Sequence, residues 1–198
     1  MIARVLYDKG FNEYLEAAKL IKAQRNDVEF QLLGAIDSGN PSGVPQSVVE
    51  DAVSNGFINY LGTTSDVLPI IREADCMVLP SYREGISRVL MEAASMEKPI
   101  IATNVTGCRE VINDGETGFL CKVKSPVDLA HKMAKIINMT EKEKVVMGQK
   151  GRVKVIEEMD LEKIIDIYDY KIAAVLGEEE GITVDLQELI SLRKTKKI

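Results

Sequence analysis

Two carboxylates with seven residues between them, Glu84 and Glu92, are the first candidates for chemistry in this chain. They bracket the stretch EGISRVLME. An ionised carboxylate only accepts hydrogen bonds, so it needs hydroxyl, amide or cationic donors. Glu92 lies three residues after Val89 and four before Met96, which places it on a partly apolar helical face. A carboxylate there needs a partner, and the vicinal hydroxyls of a ribose or hexose are suitable donors. An ordinary amphipathic-helix glutamate and an ordinary polar loop glutamate account for the same spacing. The spacing alone does not choose between the two accounts.

The elements around the pair sharpen the reading. Residues 76–79 (CMVL) predict a strand closed by Pro80, residues 87–97 a helix, and residues 99–102 (PIIA) a second strand. Apolar run, helix, apolar run is a βαβ unit with a buried parallel pair. The link holding Tyr82, Arg83, Glu84 and Gly85 then lies at a strand's carboxyl end and a helix's amino end. Open α/β sheets bind ligands there, and the free N–H groups of the helix start favour an anion.

Elsewhere, strands are expected at 1–5, 28–35, 58–61 and 118–121. Helices are expected at 9–25, 46–55, 66–74, 125–138, 140–159, 161–176 and 184–192. The alternation predicts an α/β doubly wound parallel sheet of about six strands with right-handed crossovers. Helix 140–159 is expected to turn Val145, Met147, Val153 and Ile156 inward. Gly177 is expected to break the chain before a basic tail, KTKK. The segment DSGNPSGVP at 37–45 holds no Lys or Arg and reads as a plain mobile loop. The chain carries neither G-x-G-x-x-G nor a P-loop, which argues against a nicotinamide dehydrogenase or a kinase.

The 198 residues are 45% hydrophobic, enough for one α/β domain with a sizeable core. A net charge of −6 argues against a general nucleic-acid surface. Cys76, Cys108 and Cys121 form no C-x-x-C and are expected as reduced thiols in a cytoplasmic protein. The one histidine, His131, reads as a surface residue. No run reaches the ~18–20 apolar residues of a membrane span.

The ordered string EGISRVLMEAASMEKPIIAT, then GCREVI, then DGETGFL, resembles the donor-binding half of retaining glycosyltransferases of the GT-B fold, family 4. It is similar in wording to bacterial enzymes that build capsular, O-antigen or lipid-linked sugars. The resemblance implies a Rossmann-like sheet of strand order 3-2-1-4-5-6 with the first strand truncated. It also implies a nucleotide-sugar-binding domain over 1–176, a tail over 177–198, and an acceptor-binding domain that precedes the first residue. Arg4 and Lys9 are thereby assigned to the donor diphosphate, which two cations at a helix start would neutralise. Glu84 is assigned to the donor sugar and Glu92 to ribose hydroxyls. Gly85, Ile86 and Ser87 would offer backbone N–H groups, with Val89 beside them. Arg88 would reach a phosphate or sugar, or point outward. Leu61 and Gly62 would meet the base, and Gly107 the sugar. Glu84, Arg4 and Lys9 are the catalytic candidates.

The implied function is transfer of a hexose or N-acetylhexosamine from a nucleotide diphosphate sugar, with UDP favoured, to a glycan or lipid-linked acceptor. Neither metal nor cofactor is expected, because cationic side chains take that part and no Asp-x-Asp signature appears. A nucleotide-sugar 2-epimerase half and a non-catalytic nucleotide-sugar-binding module are the alternatives. The expected location is cytoplasmic, with the longer enzyme peripheral at the inner membrane face. A truncated central strand leaves backbone groups uncovered, so self-association or marginal stability is expected of the chain alone.

Overall fold

The computed structural model describes residues 1–180. One compact unit runs from Met1 to Val155 and a second begins at Ile156. In the first, β1 (Gln31–Leu32) pairs in parallel with β2 (Asn59–Tyr60). The strands β3 (Met77–Leu79), β4 (Ile100–Thr103) and β5 (Gly118–Cys121) form a parallel sheet in that order. Residues 1–5 do not form a named strand. They cling to the far side of β1 through the parallel bridges Ile2–Leu33 and Val5–Ile36. The Ala3 N–H donates to the Leu33 carbonyl at 3.0 Å and the Val5 N–H to the Ala35 carbonyl at 2.9 Å.

These pairings give the half-orders 3-2-1 and 4-5-6 of an α/β Rossmann-like sheet. Two expectations need correction. Strand 28–35 is regular only at Gln31–Leu32, because residues 28–30 have no neighbour on the side of the N-terminal segment. Among the described residues, no backbone ladder joins residues 1–5 to β3. The ladder on β1 instead ends on the amine of Met1, which donates to the Gln31 carbonyl at 2.6 Å. A glycine is required at position 34. There φ is 149° and an added Cβ would lie 1.8 Å from the Ala3 carbonyl.

The helices cover the sheet as apolar spacing dictates. From α1 (Phe11–Lys22), Phe11, Tyr14, Leu15, Ala18 and Ile21 are buried at i, i+3, i+4 intervals. From α6 (Pro126–Asn138), Leu129, Ala130, Met133 and Ile136 are buried, and the two helices pack together. The Ser125 hydroxyl caps α6 by accepting from the Asp128 N–H at 3.3 Å. Between them lie α2 (Gln46–Ser54), α3 (Leu68–Glu73), α4 (Arg88–Ser95) and the short α5 (Thr106–Arg109).

The inward face of α7 (Glu141–Glu158) differs from expectation. Met147 is buried, but Val145, Val153 and Ile156 are exposed. The buried face is Met147, Gly148, Gly151 and Val155. Close approach of the helix backbone is the cause: a Cβ on Gly148 would lie 1.8 Å from the Glu97 carbonyl. In the second unit, α8 (Leu161–Glu180) continues through Gly177, where a break was expected. The helix expected at 184–192 and the basic tail lie outside the described residues. The loop at 37–45 is tied down, not loose. The Ser42 carbonyl accepts from the Tyr7 N–H at 2.8 Å and its hydroxyl from the Asp8 N–H at 3.0 Å.

The Met1 amine is fully buried, and burial lowers its pKa from 8.0 to about 5. The unfolded chain therefore binds the extra proton between those values, and stability rises with pH across that window. Urea unfolding of the 198-residue chain is expected to show a midpoint that climbs from pH 5 to pH 8. A flat profile would count against a buried amine.

Candidate functional site

The site is assembled where β3 ends. Leu79 is followed by a link through Pro80–Ser87, and α4 begins at Arg88. Ser87 has extended backbone and makes no side-chain cap. The first N–H groups of α4 therefore have no side-chain acceptor. Before α1, a 3-10 turn over Tyr7–Lys9 ends on Gly10, whose φ of 81° is left-handed. A Cβ at Gly10 would lie 2.2 Å from the Pro80 carbonyl. The Asp8 carbonyl accepts from the Tyr82 N–H at 2.8 Å and lies 3.2 Å from the Ser81 hydroxyl. The Thr103 hydroxyl donates to the Ser81 carbonyl.

This packing brings Lys9 and Glu84 together across the sequence. The Lys9 ammonium donates to Glu84 Oε1 at 2.7 Å, with both side chains largely covered. Arg4 does not join them. It pairs with Asp37 at 3.5 Å on an exposed surface. Arg88 lies 3.7 Å from Glu92 across one helical turn, and the arginine is 87% exposed while Glu92 is 30% exposed. Outward exposure is the alternative already held open for Arg88. Ser87 is buried, Val89 is half-buried and Ile86 is exposed.

Gly107 sits against the loop with no room to spare. An added Cβ would lie 1.6 Å from the Gly85 carbonyl and 2.7 Å from that of Glu84. Its missing side chain lets α5 support the Glu84 loop from below. Leu61 and Gly62 lie at the carboxyl end of β2. The Leu61 N–H donates to Leu32 and the Gly62 carbonyl accepts from Gly34, both at 2.8 Å. Gly62 is left-handed at φ 74° with open space around it.

Three features of the site had no signal in the sequence. Asp37 holds Arg4, and Ser42 anchors the turn that carries Lys9. Glu13, buried on α1, accepts from the Tyr82 hydroxyl on both oxygens, at 2.9 and 3.0 Å. The Lys124 ammonium covers the Tyr82 ring at 4.9 Å. Among the described residues, one buried oxygen, Asp8 Oδ1, has no hydrogen-bond partner. Burial pushes the Cys108 thiol up to about 12, with the Glu84 charge adding to the shift, which disfavours the thiolate. No group of His, Cys, Asp and Glu among the described residues suits a metal ion.

A cavity of about 450 Å³ lies elsewhere, lined by Met1, Phe30, Met77, Ile101, Met133 and Ile136 among others. It occupies the gap between the N-terminal segment and β3. Of the expected site residues only Leu61 lines it.

The sequence model of the family described as "Glycosyl transferases group 1" matches residues 1–154. The chain belongs to this family. A Campylobacter jejuni N,N'-diacetylbacillosaminyl-diphospho-undecaprenol alpha-1,3-N-acetylgalactosaminyltransferase is 33% identical over 137 residues, covering 69% of the chain and 34% of that protein. The capsular polysaccharide biosynthesis glycosyltransferase CapM of Staphylococcus aureus is 28% identical over 180 residues, covering 91% of the chain and 47% of CapM. The chain thus spans a third to a half of the length of these glycosyltransferases. Anabaena Alr3699/HepE, solved in complex with UDP, matches with a TM-score of 0.77 at 19% identity over 87% of the chain and 47% of its own. That likeness establishes the Rossmann-like fold of GT-B glycosyltransferases.

Gly107→Ala tests the support under the loop. Overpacking against two carbonyls is expected to cost about 1–3 kcal/mol and to lower the melting temperature by several degrees. Calorimetry on the variant and parent checks it.

Proposed function

We propose that this chain is the donor-binding half of a retaining glycosyltransferase. It would take a UDP-sugar carrying a hexose or N-acetylhexosamine, for transfer to a glycan or lipid-linked acceptor. The observation that carries the reading is the contact of Lys9 with Glu84 at the carboxyl end of the sheet. A cation for a leaving phosphate and a carboxylate for a sugar hydroxyl then stand side by side, next to an uncapped helix start. Family membership supports the nucleotide-sugar class, and the names of the C. jejuni and S. aureus relatives support a glycan or lipid-linked acceptor.

In this reading the donor separates the Lys9–Glu84 pair. Lys9 turns to the diphosphate, where Arg4 joins it by leaving its exposed partner Asp37. Such an exposed pair contributes at most about 1 kcal/mol, so its release costs little. The N–H groups of Gly85–Ser87 face the same charge, and Arg88 adds to it. Glu92 accepts from ribose hydroxyls, and the backbone at Leu61 and Gly62 meets the uracil. Freed from Lys9, Glu84 accepts from hydroxyls of the sugar and stabilises positive charge at the anomeric carbon. The acceptor hydroxyl bonds to that carbon on the face the diphosphate leaves and passes its proton to the departing phosphate oxygen. The breaking C–O bond gives its electron pair to the diphosphate, and configuration is retained.

Titration calorimetry with UDP, GDP and ADP sugars tests the donor reading on this chain. Saturable heat is expected with a UDP-sugar, and none with any of the three would sink the proposal. Glu92→Ala is expected to weaken UDP binding by about 1–3 kcal/mol through loss of charge-assisted hydrogen bonds. Unchanged affinity would return Glu92 to an ordinary helix-surface role.

A further inference from the structure

Tyr82 lies two residues before Glu84, and its side chain leaves the loop to reach α1. Its hydroxyl meets both oxygens of Glu13, at 2.9 and 3.0 Å. Glu13 is 8% exposed, and the phenol is the hydrogen-bond donor its carboxylate oxygens are given. A buried carboxylate held by one neutral donor is a poor device for stability, since an apolar pair of the same shape serves as well or better. Such a bond does fix direction. Glu13 follows Lys9 by four residues, just past the left-handed Gly10. The bond therefore ties the segment carrying Lys9 to the loop carrying Glu84. The Lys124 ammonium, 4.9 Å from the ring centre, closes the outer face of Tyr82. Backbone contacts through Asp8 set where the loop begins. The Tyr82 side chain adds to the constraints on its next two residues from the Ser81 hydroxyl, which donates to the Arg83 carbonyl at 3.1 Å, and from Gly107 against the Glu84 carbonyl.

We propose that Tyr82 and Glu13 are a positioning pair whose hydrogen bond holds Glu84 in register with Lys9. Because Glu84 is assigned to the donor sugar, the pair also sets the preference for the sugar-bearing donor over the bare nucleoside diphosphate. This second consequence rests on the donor reading above. Neither residue touches the donor.

The test uses Tyr82→Phe and Glu13→Gln in the 198-residue chain, with UDP and UDP-N-acetylglucosamine as probes. Tyr82→Phe is expected to weaken the UDP-sugar about tenfold and UDP by less than about twofold. Glu13→Gln keeps an acceptor oxygen for the phenol and is expected to stay close to the parent for both ligands. A purely structural role predicts equal losses for both ligands, and that outcome, or no loss at all, overturns the proposal. A ligand-free arm keeps the two readings apart. The coupling between Lys9→Met and Glu84→Gln is measured by unfolding in the parent and in the Tyr82→Phe background. Loss of the coupling with Tyr82→Phe supports positioning, and retention overturns it. A parent chain that binds neither ligand overturns the donor reading, and the coupling arm then decides the positioning claim.

Discussion

The carbonyl of Asp8 is the junction on which the site depends. The sheet comes in two parts, β2-β1 with the N-terminal segment and β3-β4-β5, with no ladder between them among the described residues. Helices α1 and α6 pack together over the two parts, yet packing alone does not set register to within a hydrogen bond. At the carboxyl end the register is set by polar contacts. The Tyr82 N–H donates to Asp8, the Ser81 hydroxyl lies beside it, and Gly10 lets Pro80 lie against the turn. Backbone donors and acceptors left unpaired in such a place cost more than they return when paired. The two halves are therefore closed most tightly where the charged residues gather.

That closure explains the electrostatics. Lys9 and Glu84 are largely covered, so leaving either without a partner would be expensive. Without a ligand each satisfies the other. Arg4 with Asp37 and Arg88 with Glu92 lie nearer to water, where ion pairs are worth little. The arrangement is graded: the inner pair is the one whose separation a ligand must compensate with its own charge and hydroxyls. On the proposed donor reading, a phosphate near Lys9 and a hydroxyl near Glu84 would do this together, whereas a lone phosphate would leave Glu84 without its donor.

Much of this was legible from the residues. The runs at 76–79, 99–102 and 118–121 are short, apolar and β-branched or aromatic, and each became a strand within a residue or so. The helix between Glu84 and Pro99 followed from its spacing. The ordered string EGISRVLMEAASMEKPIIAT, GCREVI and DGETGFL carried the family, whereas the spacing of Glu84 and Glu92 alone did not. Partnerships between distant residues were not legible. Glu13 with Tyr82, Ser42 with the Lys9 turn and Arg4 with Asp37 join separate elements, and no local pattern records them. The inward face of α7 was missed for a related reason. Periodicity scores apolar side chains, while Gly148 and Gly151 bury by letting backbone approach backbone. Gly107 belongs to the same class: its type was visible, but the loop it supports was not.

The position of the cavity beside Met1 follows from the same constraint. Its lining takes in residues 27–31 and 74–77, the amino sides of β1 and β3, away from the end where the Asp8 junction closes the halves. Its lining mixes apolar side chains such as Phe30, Ile101 and Ile136 with the charged Arg25, Asp27, Glu29, Glu73, Asp75 and Lys144. The amine continues the parallel ladder, donating to the Gln31 carbonyl as the Ala3 and Val5 N–H groups donate to the carbonyls of Leu33 and Ala35. The cavity is thus the place where the pairing between the half-sheets runs out. Lys9 and Glu84 meet at the opposite end of the strands, away from it.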